Sequence, residues 1–512
     1  MTNCIMKVFL FRKCNTMKCS AALLILFPVL FAISFNTRAQ LVLPGDYPDP
    51  SVTKVGDTYW ASATTSNWAP VFPLLASKDL IHWETKAFVF KSAPKWADYY
   101  FWAPEIEYEN GKVFVYYSAH KKGGNLCLSI ASADKPEGPY TDHGPLMCQE
   151  VGSIDAFPVR DENGKLHLIW KEDGNSVGKP TPMWISEMKE DRTGLIGEKR
   201  ELFRNDAEWE RNLVEGVSII RHGGYFYAFY AAAGCCGTGC TYATGIARAK
   251  RLLGPWEKYE KNPILDSSEE WKCPGHGTPV EKDGKYYFLF HAYHGESSVY
   301  AGRQGLLREF EFTPDGWLRF TDEVTPNVKV KPEIKDEFND GSVSSLWQWS
   351  VLNPPEFRER KGVLELSTAG GNTRAFVGQK TFSTEYKAQT TIVVDKSSSE
   401  AGLAAIGDDE NMLAASVLAN KLRVWKLEKG QLTILDEMVL ANSKEVTLQI
   451  DVRNGKDMSF SYSVDGKTFI ETGSGSVDGS FLPPWDRAVR VGLVSTGQNS
   501  GKAVFENFIL YH

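Results

Sequence analysis

A short polar turn ending in glycine, followed by a strand of alternating aromatic and aliphatic residues, recurs five times in the first two-thirds of this chain. The copies are Val55-Gly56-Asp57-Thr58-Tyr59-Trp60, Asn110-Gly111-Lys112-Val113-Phe114-Val115, Asn163-Gly164-Lys165-Leu166-His167-Leu168, His222-Gly223-Gly224-Tyr225-Phe226-Tyr227 and Asp283-Gly284-Lys285-Tyr286-Tyr287-Phe288. Their glycines 56, 111, 164, 224 and 284 step by 55, 53, 60 and 60 residues. A strand-built period of that size is the mark of a propeller or an array. Five copies predict an all-β fold, a five-bladed β-propeller, over residues 40–328. The outer half of three blades repeats too, as in Ala131-Ser132-Ala133-Asp134-Lys135-Pro136-Glu137-Gly138-Pro139-Tyr140.

Another short strand precedes each turn, and in a propeller the first strand of a blade lines the central channel. These strands open Asp49-Pro50-Ser51, Trp102-Ala103-Pro104, Asp155-Ala156-Phe157, Glu215-Gly216-Val217 and His276-Gly277-Thr278. The expectation is that the five opening residues are equivalent and converge at one mouth. Asp49, Asp155 and Glu215 then become a carboxylate cluster drawn from three blades. Inverting hydrolysis of a glycosidic bond needs two carboxyl groups roughly 6.5–9.5 Å apart with a water between them. One must be ionised to take a proton from that water and the other protonated to give one to the leaving oxygen. A third carboxylate near the acid raises its pKa.

A chain of 512 residues exceeds one ordinary domain. The charged, proline-bearing stretch 329–335, Lys329-Val330-Lys331-Pro332-Glu333-Ile334-Lys335, marks a linker. Beyond it, alternating runs such as Val446-Thr447-Leu448-Gln449-Ile450 and hairpin signals such as Asn454-Gly455 predict an antiparallel β-sandwich over 336–512. Net charge is −7 and basic residues form no runs, which argues against a nucleic-acid partner.

Residues 1–39 read as a signal peptide. Four basic residues, Lys7, Arg12, Lys13 and Lys18, precede an apolar run from Ala21 to Phe35, and Thr37-Arg38-Ala39 offers a cut before Gln40. The expected location is periplasmic or secreted, with no membrane span once the leader is removed. Of nine cysteines, Cys127, Cys148, Cys235, Cys236, Cys240 and Cys273 lie beyond the leader. An even number in an exported chain favours disulfides, but six allow fifteen pairings and the sequence does not choose. Adjacent cysteines suit tetrahedral metal ligation poorly, and no histidine accompanies Cys235-Cys236 at zinc-finger spacing.

Tyr47-Pro48-Asp49-Pro50-Ser51, Trp102-Ala103-Pro104-Glu105, Ser153-Ile154-Asp155-Ala156-Phe157-Pro158, Glu215-Gly216 and His276-Gly277 resemble the successive blade signatures of glycoside hydrolase family 43. The resemblance implies a five-bladed propeller and an inverting reaction, with Asp49 as general base, Glu215 as general acid and Asp155 tuning and orienting that acid. By position, Trp102 at the opening of the second blade is expected to stack on a sugar face, Trp68 in the loop 66–70 to form a pocket wall, and Ile154 to add a further sugar contact. His276 matches a channel histidine that orders water or, in some members, a calcium ion, so no cofactor is required and calcium is optional. Arg303 matches an arginine reaching the sugar or the base. Asp336-Glu337-Phe338, Gly362-Val363-Leu364-Glu365-Leu366 and Ala503-Val504-Phe505-Glu506-Asn507-Phe508 are similar to the concanavalin-like sandwich of β-xylosidases and arabinofuranosidases in that family. The expected substrates are terminal α-L-arabinofuranosyl units of plant cell-wall glycans, with β-xylosyl units second. Endo-arabinanase and β-galactofuranosidase activities stay open, as does a non-catalytic carbohydrate-binding propeller. A retaining fructan hydrolase is disfavoured because Gly216, not cysteine, follows Glu215.

Overall fold

The computed structural model describes residues 39–296, 298–321, 327–341 and 344–512. The leader expected over the first residues lies outside them. Among the described residues no helix is long and apolar enough to cross a membrane.

The repeat becomes five antiparallel sheets, the blades of a propeller. Their innermost strands are Ser51–Val55, Trp102–Glu109, Ser153–Arg160, Val214–His222 and Trp271–Lys282. Each touches its neighbour in that order, and the fifth touches the first. The amino-terminal strand Gln40–Leu43 does not begin the first blade. It pairs instead with Arg303–Phe312 and so completes the fifth sheet. The five turn glycines hold φ between 63 and 85°, the left-handed region that a hairpin turn requires and glycine enters without cost. Cores form between blades: Phe229, Phe288 and Phe290 fill one, and Val71, Phe72, Phe101 and Tyr117 another.

The carboxy-terminal region is a sandwich of two antiparallel sheets. One contains Leu364–Thr368, Gly501–Tyr511, Tyr386–Val393 and Glu445–Arg453; the other contains Arg374–Lys380, Arg490–Thr496, Glu400–Asp408 and Asn411–Leu418. Alternate residues point inward, where Leu364, Leu403, Leu413, Leu448 and Phe505 are among those closing a single core.

Sandwich and propeller are joined by backbone pairing and by buried charge. Trp68–Ala69 forms a two-stranded ladder with Trp349–Ser350. Arg490 Nη2 donates to Asp46 Oδ2 at 3.1 Å and its Nε to Gln348 Oε1 at 2.8 Å, all within the joint. Trp68 is only 2% exposed and meets Phe376 of the sandwich edge-on at 6.0 Å. This corrects the expectation that Trp68 walls the sugar pocket: its ring is used up as an anchor between domains. Trp68→Ala should lower unfolding free energy by about 3–5 kcal/mol through the cavity it leaves. Urea denaturation checks this, and a loss below about 1 kcal/mol would show that the joint does not depend on the ring.

Candidate active site

The mouth of the channel is shaped by one irregularity repeated in every blade. Asp49, Ala103, Asp155, Gly216 and His276 all have positive φ, between 37 and 60°. In blades two, three and four a bulge coincides with this residue: three inner-strand residues span two on the partner strand between Trp102 and Glu105, Ile154 and Phe157, and Glu215 and Ser218. Such a bulge re-aims side chains at a sheet rim.

This register corrects the expected equivalence of the carboxylates. Asp49, Asp155 and His276 occupy the left-handed position, but Glu215 stands one residue before it, in line with Ile154 and Trp102. Glycine takes the left-handed place in blade four for a steric reason. A Cβ at Gly216 would come within 2.7 Å of the His276 ring.

A left-handed residue at a buried rim has a backbone N–H that needs an acceptor. For three of the five the preceding blade supplies it, from its second strand or just beyond that strand's end. Thr64 Oγ1 accepts the Ala103 N–H at 2.7 Å, Ser118 Oγ accepts the Asp155 N–H at 3.2 Å, and His291 Nδ1 accepts the Asp49 N–H at 3.0 Å. Blade three breaks the rule, because the corresponding residue is Lys171, a pure donor. The Gly216 N–H therefore turns to Asp155 Oδ2 at 3.0 Å, and the Lys171 ammonium pairs with Glu215 Oε2 at 2.5 Å.

The three buried carboxyl groups end with different charges. Burial pushes Asp49 up, but the Arg303 guanidinium, whose Nη1 is 3.2 Å from Oδ1, overcomes it and holds the group well below the usual carboxylate range. Thr64 Oγ1 also donates to Oδ2 at 2.7 Å. His291 is neutral, its pKa lowered to about 4 chiefly by burial. Its Nδ1 accepts the Asp49 N–H and so cannot also donate to the carboxylate 3.3 Å away, leaving Arg303 as the main counter-charge. Burial raises Asp155 to about 7, helped by the nearby Glu215 charge and opposed by His276. Burial raises Glu215 as well, but Lys171 and the Tyr242 hydroxyl, which donates to Oε1 at 2.7 Å, bring it below its ordinary value. The neighbouring pair Asp155 and Glu215 thus carries one proton below about pH 7, resting on Asp155. A raised resting pKa on Glu215, expected from a neighbouring carboxylate alone, is overturned by Lys171.

These groups face a cavity of about 430 Å³. Asp49, Asp155, Glu215, Trp102, Ile154, His276 and Arg303 all line it; Trp68 does not share it but opens on a separate cleft at the domain joint. His276 Nδ1 lies 3.5 Å from Asp49 Oδ1 and 4.0 Å from Asp155 Oδ2, between the two acids. Among the described residues no three His, Cys, Asp or Glu side chains are grouped so as to hold a metal ion.

Several lining residues were invisible to the repeat. Lys171 sits on the second strand of blade three and Tyr242 just before the third strand of blade four, and a lysine ending the buried run Leu166–Trp170 was the available signal. Tyr100 stacks on Trp102 at 4.3 Å. Trp485 and Asp486 come from the sandwich. Asp486 Oδ2 accepts from Trp102 Nε1 at 3.0 Å and its carbonyl accepts from Arg303 Nη2 at 2.9 Å, so the sandwich completes the propeller's own site. Three disulfides are present among the described residues: Cys127–Cys148, Cys240–Cys273 and the adjacent pair Cys235–Cys236, the last lining the cavity.

An ionised carboxylate facing two further buried carboxyl groups that together hold one proton suits the hydrolysis of a glycosidic bond. Residues 39–318 match the model of glycosyl hydrolases family 43, and 335–509 match a β-xylosidase C-terminal concanavalin A-like domain. The chain belongs to glycosyl hydrolases family 43. It is 24% identical over 464 residues to a non-reducing end α-L-arabinofuranosidase of Bacteroides ovatus, covering 81% of this chain and 82% of that protein. It is 27% identical over 383 residues to a xylan 1,3-β-xylosidase of a Vibrio species, covering 65% and 69%. The crystal structure of a GH43 protein from Bacillus licheniformis shares the fold, with a TM-score of 0.79 at 23% identity over 93% of this chain and 100% of that one.

Lys171→Met removes the cation that holds Glu215 down. The pKa of the proton-sharing pair should rise by roughly one unit or more, moving the alkaline limb of kcat/KM to higher pH. A limb that stays put or moves down would show that Lys171 does not govern the pair.

Proposed function

We propose that this chain removes terminal α-L-arabinofuranosyl units from plant cell-wall glycans by inverting hydrolysis, with β-xylosyl units as the second substrate. The observation that carries the reading is the charge separation across the cavity. Asp49, pinned as an anion by Arg303 and Thr64, is the base that takes a proton from water. Glu215 is the acid facing the leaving oxygen; the coupled Asp155–Glu215 pair holds one proton below about pH 7, and Asp155 tunes and orients the acid through the Gly216 N–H.

The names of the relatives include both arabinofuranosidases and xylosidases, which supports the pair of substrates rather than one. Trp485 and Asp486 of the sandwich line one side of the cavity, which favours removal of an end unit over cleavage within a chain. Three disulfides fit an oxidising compartment, and we place the protein in the periplasm or outside the cell.

Release of nitrophenol from arabinofuranoside and xyloside substrates tests the roles. Glu215→Ala and Asp49→Ala should each lower kcat/KM by about 10²–10⁴-fold, the usual worth of a positioned acid or base. If both variants kept wild-type rates, the assignment would be wrong. For the wild type, kcat/KM should fall as pH rises through about 7, where Asp155 loses the shared proton. A profile flat to pH 9 would contradict that proton's role.

A further inference from the structure

The adjacent disulfide Cys235–Cys236 has no part in the proton chemistry above, yet it faces the same cavity. It follows the strand Tyr225–Ala232, whose Ala231 is paired with Glu215, so it belongs to the blade of the proposed acid. Cys235 rests on a cluster that contains Leu213 and Tyr242, and Tyr242 donates to Glu215. The base-side groups Asp49, Arg303 and His291 come from the first and fifth blades. The disulfide therefore shares its blade with the proposed acid and with none of these base-side groups.

The loop that carries it is tied down at several points. Cys240 is bonded to Cys273 at the start of the fifth blade's inner strand, and the Gly237 N–H donates to Tyr293 Oη at 3.3 Å. A Cβ at Gly237 would lie 3.7 Å from the carbonyl oxygen of Trp485, so the loop and the sandwich's exposed tryptophan form a continuous rim. Trp485 is 51% exposed and presents an edge to Trp102 at 5.7 Å. Oxidised cysteines carry no S–H, so this stretch of wall offers polarizable apolar surface and no side-chain donor. Such a surface suits the C–H face of a sugar ring, and a rim held in place in advance loses little entropy on contact.

We propose that Cys235–Cys236, together with Trp485, is the wall against which the leaving glycosyl unit lies, so that the chain selects substrates whose leaving group is itself a sugar ring. This rests on the glycosidase reading with Glu215 as acid. The wall's binding energy is realised only when a leaving sugar is present.

The test compares kcat/KM for a pentosyl disaccharide with kcat/KM for the matching glycosyl fluoride, whose leaving group has no ring. In the double variant Cys235→Ala/Cys236→Ala, the ratio of disaccharide to fluoride should fall about tenfold. Trp485→Ala, at a half-exposed position, should lower the same ratio. Ratios unchanged in both variants, whether the individual rates fall together or not at all, would overturn the proposal and leave the disulfide as a loop staple. Failure of the wild type on both substrates would instead reject the functional reading, and the wall with it.

Discussion

The site depends on one backbone constraint: the left-handed residue at the rim of each inner strand and the acceptor its N–H must find. Non-glycine residues pay roughly 1–2 kcal/mol to hold that conformation. Asp49, Ala103, Asp155 and His276 all hold it. Three neighbouring pairs of blades are thereby tied at the mouth of the channel, through Thr64, Ser118 and His291. The same tie that satisfies a backbone donor also decides where the carboxylates point. Blade four shows the logic by exception: His276 fills the space a Cβ would need, glycine is required, and the carboxylate moves one residue upstream.

Electrostatics follow from this placement. The Ser118 position becomes Lys171 one blade later, which exchanges a neutral acceptor for a buried cation. Asp155 must then serve the Gly216 N–H, and Glu215 gains an ion pair. A buried charge survives only when paired, so Lys171 with Glu215 and Arg303 with Asp49 are two compensated pairs flanking the one group, Asp155, that keeps its proton to about pH 7. The sandwich enters the same economy through Asp486, which holds both Trp102 and Arg303. Catalytic and accessory domains meet in the site itself.

Glycine spacing and strand alternation carried the fold, because hairpin φ values and the pleat repeat are local properties. They also brought Asp49, Asp155, Glu215 and His276 to one cavity, where Arg303, expected from the family resemblance alone, joins them. The one-residue offset of Glu215 was not legible: a bulge adds a residue without changing composition, and aligning signatures by residue type hides it. Trp68 misled because an aromatic in a loop beside a signature suits a pocket wall and a domain anchor equally well, and only the distant partner Phe376 decides. Trp485 and Asp486 lie in a loop of the second domain, far from any repeat. The pairing of Cys235 with Cys236 belongs to three of the fifteen possible arrangements, and the turn of one loop rather than spacing chooses it.

Two opposed carboxyl functions with water between them allow a single displacement, so the configuration of the first product reports the central claim. Proton NMR of the sugar released in the earliest turnovers, before mutarotation, should show the anomer opposite to that of the substrate. The same anomer as the substrate would contradict the account and require a covalent glycosyl intermediate at one of these carboxylates.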